Sequence, residues 1–128
     1  MAVLLSILPA LIITFLIIYI AQPTQIQVKE NTLHISGLYG KTIELNQIKQ
    51  INLSDTIPTI LIRNNGLGLG PVKKGYFLLK GMGRCTLYLN GNYSPFLLLQ
   101  TYDDEIIILN NKDKDYILRT YSEIDKSL

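Results

Sequence analysis

Residues 76–90 read YFLLKGMGRCTLYLN, and the period of this stretch decides the fold. In its second half Cys85, Leu87 and Leu89 alternate with other residues, and Gly81-Met82-Gly83 separates that run from the apolar run before it. Period two belongs to extended chain, in which successive side chains point to opposite faces; a helix repeats every 3.6 residues. Two such runs joined by glycines predict neighbouring antiparallel strands. The alternation sets Tyr76 and Tyr88 on outer faces of these strands, beside Lys80 and Arg84.

The same signature extends in both directions. TLHIS (32–36) puts Leu33 and Ile35 on one face and His34 on the other, KTIEL (41–45) pairs Ile43 with Leu45, and IKQINL (48–53) turns Ile51 and Leu53 inward. TILIR, FLLLQT and EIIIL complete seven or eight runs. Turn chemistry punctuates them at Glu30-Asn31, Gly37, Gly40, Pro58, Asn64-Asn65-Gly66, Asn90-Gly91-Asn92 and Asp103-Asp104. Links this short predict antiparallel pairing, since parallel neighbours need long crossovers. From Asn111 the period changes. Ile117, Tyr121, Ile124 and Leu128 recur at helical spacing, with Asn111, Asp113 or Asp115 as the cap, which predicts an amphipathic helix over 112–126. Its apolar stripe needs a sheet or a barrel mouth to cover.

The chain opens differently. MAVLLSILPALIITFLIIYIA (1–21) contains no charged side chain and as a helix reaches roughly 30 Å, the thickness of a bilayer core. A cleaved signal peptide fits less well, because no positive n-region precedes the apolar run and Tyr19 spoils a small-x-small cleavage site. Tyr19 falls instead where an interfacial aromatic belt would lie. The division predicted is a transmembrane anchor over 1–21 and a β domain over 22–128. Lys29, Lys41 and Lys49 follow the anchor and no Lys or Arg precedes it, which favours a single pass through the cell membrane with the domain in the cytoplasm.

Charge narrows the function. The net charge of +2 conceals a basic stretch over 56–102, holding Arg63, Lys73, Lys74, Lys80 and Arg84 with no acid, and an acidic tail after it. That excess is too sparse for a nucleic-acid footprint. Cys85 is the one cysteine, so intramolecular disulfides and cysteine metal clusters are excluded, and a single histidine supports no His-based site.

The stretch RNNGLGLGPVKKG (63–75) is rich in glycine, but it lacks G-x-x-x-x-G-K-[ST] and the dinucleotide fingerprint, and it leads into a strand rather than a helix. It is expected to form a long turn between strands. No G-x-S-x-G elbow occurs, and the run Asp103-Asp104-Glu105 reads as turn chemistry. The chemical inventory therefore predicts a protein that is not an enzyme and needs no cofactor.

Several marks taken together resemble the bacterial pleckstrin-homology-like (PH-like) domain family, of the type tethered behind membrane helices. They are Gly37 and Gly40 around a hairpin, Ile48 opening a strand, Pro58, the Arg63-Asn64-x-Gly66 turn, and Gly75 with Phe77. The resemblance runs from about Ile26 to Ile124. It implies a mainly β, antiparallel two-sheet barrel of about seven strands capped by a C-terminal helix. Members often carry two preceding membrane helices; this sequence shows one such stretch, which is either a shortened start or a single anchor. The function expected is a membrane-tethered module that binds a protein partner, a further copy of itself or an anionic membrane surface, with Arg63, Lys73, Lys74, Lys80 and Arg84 as the ligand- or membrane-facing residues. The alternative is a sensor of a small or phosphorylated molecule on the basic glycine segment 63–75.

Overall fold

The computed structural model describes residues 2–128, with side chains throughout except those of Ala2 and Leu4. Helix α1, Ala2–Ala21, leads into strands β1 (Ile26–Lys29), β2 (Thr32–Ile35), β3 (Lys41–Glu44), β4 (Ile48–Ser54), β5 (Ile60–Leu69), β6 (Val72–Leu79), β7 (Gly83–Asn90), β8 (Phe96–Thr101) and β9 (Ile106–Leu109). Helix α2, Lys114–Asp125, closes the chain. The predicted anchor thus begins one residue outside the described part.

Two sheets form. A three-stranded antiparallel meander runs β1-β2-β3, and a six-stranded sheet has the order β4-β8-β9-β7-β6-β5. The expectation of about seven antiparallel strands is corrected twice: nine strands are described, and β7 and β9 run parallel, with Thr86 opposite Ile107 and Tyr88 opposite Leu109. The chain leaves β7, forms β8 one place further out, and returns as β9 into the gap between them. An antiparallel hairpin thus replaces the helical crossover that parallel neighbours usually require.

Both faces of the six-stranded sheet are covered. On one, Tyr88, Leu97, Leu99, Ile107 and Leu109 pack with Leu33, Ile35 and Ile43 of the small sheet and with Ile117 and Ile124 of α2. On the other, Phe77, Leu79, Cys85, Leu87, Leu89 and Ile108 form a second core, against which Ile57, Ile60 and Met82 lean. A strand buried on both faces loses its alternation, which is why Thr86 and Tyr88 are buried beside Cys85 and Leu87. Ile48 and Ile51 both reach the core despite their odd spacing because the register of β4 against β8 shifts between Ile48 and Gln50. A bulge there turns the strand by one residue.

The sequence capping signals hold for α2, within shorter bounds than 112–126. Asp113 caps it, its carboxylate accepting from the backbone N–H groups of Asp115 (3.0 Å) and Tyr116 (3.4 Å). Ile117, Thr120 and Ile124 face inward, while Leu128 lies beyond the helix and is exposed. Tyr116 fastens the helix to the edge of the small sheet: its hydroxyl accepts from Ile26 N (3.0 Å) and donates to Ile26 O. Asp113→Ala is expected to lower stability by about 1 kcal/mol, seen as a modest fall in thermal midpoint; an unchanged midpoint would show that the cap contributes nothing.

Helix α1 stands largely apart from the domain, with Ile20 at its exit half-buried. Its described side chains are exposed from Val3 to Tyr19, including Phe15 at 72%. Among the described residues no helix is long and apolar enough to cross a membrane; the unbroken run of described side chains in α1 is 5–21, about 25 Å at ~1.5 Å per residue. The helix backbone itself covers 20 residues.

Candidate functional site

Strand register decides which of the predicted cations can act together. Lys73 and Lys74 sit at the start of β6, beside the β5–β6 turn, while Lys80 follows the other end of that strand. Six residues at ~3.3 Å place Lys74 and Lys80 roughly 20 Å apart along it. Arg84 is opposite Leu78 and belongs to the Lys80 end, whereas Arg63, opposite Phe77, reaches back toward Gly68, the register partner of Lys73. The five residues therefore form no single basic surface.

The segment 63–75 is paired strand rather than a long turn. Gly66, Gly68 and Gly75 lie within β5 and β6, and the turn is only Gly70-Pro71, between the paired residues Leu69 and Val72. Asn64-Asn65-Gly66 likewise lies inside β5, with a register shift between Arg63 and Asn65. Gly66 faces Gly75 because rings lie across both positions. A Cβ on Gly66 would meet the Phe77 ring at 2.9 Å, and one on Gly75 would meet the Tyr39 ring at 3.0 Å. The cations of this segment are also engaged: Lys73 Nζ donates to Gly70 O, and Lys74 Nζ to Gln22 O at 2.6 Å.

Lys74 is 2% exposed, so the membrane-facing expectation fails for it. Adjacent strand residues point to opposite faces, and Lys74 takes the face covered by the rest of the domain. Burial pushes its ammonium below the usual lysine range. Its bond to Gln22 O joins β6 to the residue that follows α1. A second fastening lies beside it, where Thr24 N donates to Asn90 Oδ1 at 3.2 Å. Asn90 is held in turn by Asn110, whose Oδ1 accepts from Asn90 N (2.8 Å) and whose O accepts from Asn90 Nδ2 (3.1 Å). Asn110 Nδ2 also donates to Gly91 O (2.7 Å) and Tyr93 O (3.1 Å). The exit of α1 is thus tied to one end of the large sheet by buried polar groups.

A charged cleft of about 470 Å³ opens toward the other end, lined by Lys41, Tyr76, Arg84, Thr86, Asp103, Asp104 and Glu105. Tyrosines build its floor. Tyr39, from the β2–β3 loop, meets Tyr76 edge to face at 6.0 Å, and its carbonyl accepts from the Tyr88 hydroxyl. Tyr88 is therefore an inward residue, fully buried, and the outer-face expectation for it is corrected. The Arg84 guanidinium lies 4.3 Å over the Tyr76 ring, a cation–π contact. Lys41 pairs with Glu105, whose Oε1 also accepts from Thr86 Oγ1 at 3.3 Å.

This cleft combines an aromatic ring, two cations and three acids, which suits recognition of a polar segment with charges of both signs. Its Thr86 hydroxyl, beside Glu105, is 2% exposed. Lys41, Tyr39 and Glu105 escaped the sequence reading because their partners lie far along the chain. Among the described residues no group of His, Cys, Asp and Glu is placed to hold a metal ion. His34 is exposed on the small sheet, its ring nitrogens in contact with the hydroxyls of Thr32 (2.8 Å) and Thr42 (3.1 Å). Cys85 is a buried apolar filler, and burial raises its thiol pKa. Comparison with family models, curated proteins and solved structures finds no match.

Proposed function

We propose that this chain is a membrane-anchored, non-enzymatic binding module of PH-like type, with α1 in the bilayer and the two-sheet domain held at its surface to engage a protein partner. One observation carries the reading: an uncharged helix of 20 residues stands with its described side chains exposed from Val3 to Tyr19. Leaving such side chains in water costs about 1.5–3 kcal/mol each relative to burial, on the order of 20 kcal/mol over the helix. A bilayer removes that cost. Local thinning of the bilayer accommodates a helix shorter than the bilayer core. The fastening of Gln22 and Thr24 to β6 and β7 supports a domain held close to the surface rather than swinging on a linker. The Tyr76–Arg84 cleft is the surface best suited to a protein partner, and it carries the aromatic and arginine groups typical of binding hot spots.

Membranes from cells making the full chain, washed with alkaline carbonate, test the anchor. The protein is expected to stay in the pellet and to leave only with detergent. Recovery in the carbonate supernatant would overturn the reading.

A further inference from the structure

We propose that the tip of the β5–β6 hairpin, residues 69–73, is a second membrane contact, seating Leu69 and Pro71 in the lipid headgroup layer beside the exit of α1. This rests on the anchor reading and adds where the domain touches the bilayer. The argument is positional. Gln22, one residue past α1, is bonded through its carbonyl to Lys74, and Thr24 to Asn90, the register partner of Val72. Both fastenings fall at the turn end of β6. The chain therefore leaves the bilayer within a few residues of Gly70-Pro71, which adjoin the paired Leu69 and Val72, the latter about 7 Å from Lys74 at ~3.3 Å per residue. Because the described side chains of α1 are exposed from Val3 to Tyr19, the helix leads away from this end rather than back along the sheet.

The chemistry of the tip suits that depth. Leu69 is 39% exposed and Pro71 is exposed at the apex of the two-residue turn. No acid occurs from Thr56 to Tyr102, so nothing at the tip repels an anionic leaflet. Lys73 folds back onto Gly70 O, which sets its ammonium beside the apolar apex, at the level where a lysine stem lies in apolar surroundings and its charge in headgroups. Tyr93, 37% exposed, sits in the neighbouring loop held by Asn110, an aromatic of the kind that populates membrane interfaces. The opposite end of β6, with exposed Lys80, has no such tie to α1.

The sequence contains no tryptophan, so a single substitution supplies a unique fluorophore. Full-length Leu69→Trp, Lys80→Trp and Tyr19→Trp are each reconstituted into vesicles of phosphatidylcholine and phosphatidylglycerol, with and without lipids brominated near the headgroup. Tyr19→Trp and Leu69→Trp are expected to be blue-shifted and to lose emission to bromolipid to a comparable degree, while Lys80→Trp keeps the emission of a solvent-exposed indole. Quenching at position 19 with none at 69 would overturn the hairpin contact and leave the anchor standing. No quenching at 19 would defeat the anchor, and this inference with it. A blue shift at 69 without quenching would place protein over the tip, a second copy or a partner, and would also overturn the proposal.

Discussion

Gly75→Ala is expected to destabilise the domain by about 3 kcal/mol or more. The backbone at Gly75 has φ +112°, a region that L-residues rarely adopt. A Cβ there would also lie 2.7 Å from Asn65 O and 2.7 Å from Gly66 Cα, both main-chain atoms that cannot swing aside. The Tyr39 ring closes the third side at 3.0 Å. Relief requires parting β5 from β6 or lifting Tyr39, and Tyr39 is the residue through which the β2–β3 loop touches Tyr76 and Tyr88. The strain therefore spreads to the contact between the two sheets. Gly68→Ala is the control, because the nearest atom to its Cβ would be Arg63 Nη1 at 3.9 Å and its φ is ordinary. Chemical denaturation of both variants in detergent decides the matter. A Gly75→Ala midpoint no lower than that of Gly68→Ala would remove the close approach as an explanation for this glycine.

Those glycines also show where sequence reading stops. Alternation located β2, β3, β6 and β7, turn chemistry located Glu30-Asn31 and Gly81-Met82, and the cap of α2 lay among the three residues expected. Each of these signals is local. A glycine in a turn and a glycine under an aromatic ring look identical in sequence, so Gly66, Gly68 and Gly75 read as loop. Only the arrival of Phe77 and Tyr39, from β6 and from the other sheet, identifies Gly66 and Gly75 as close-approach positions. The parallel β7–β9 pair escaped for a related reason. Short links imply antiparallel neighbours only when successive strands are adjacent, and β9 is inserted between its two predecessors. A trace of this was present, since FLLL and IIIL are apolar at every position, as expected of strands covered on both faces. The basic residues were mislocated although the rule that separates them was in hand: period two sets Lys73 and Lys74 on opposite faces, and one of those faces is the interior.

Tyr88→Phe is expected to lower stability near neutrality by an amount that shrinks as pH rises above 10. Near neutrality the variant loses the hydroxyl that donates to Tyr39 O. A buried carbonyl left without its donor costs about 1–3 kcal/mol, so the variant is the less stable. At alkaline pH the wild-type tyrosine becomes a liability. Burial, with smaller contributions from Tyr76 and Glu105, raises the Tyr88 pKa far above its ordinary value near 10. Between those two values the folded chain keeps a proton that the unfolded chain releases, so stability falls as pH rises through and beyond 10, by up to about 1.4 kcal/mol per pH unit. Cys85 acts with the same sign, its raised thiol pKa withdrawing stability above about 9. Lys74 acts oppositely: its lowered pKa makes stability rise with pH until the unfolded lysine has titrated near 10.5, above which it adds no further slope. Cys85 and Lys74 are shared by both proteins, so the difference between them isolates Tyr88. Denaturant titrations from pH 8 to 11.5 should show the wild type ahead at pH 8 and the two curves converging above pH 10. Parallel curves throughout that range would mean that the Tyr88 hydroxyl reaches solvent in the folded chain, and that the tyrosine contact between the sheets is looser than its geometry implies.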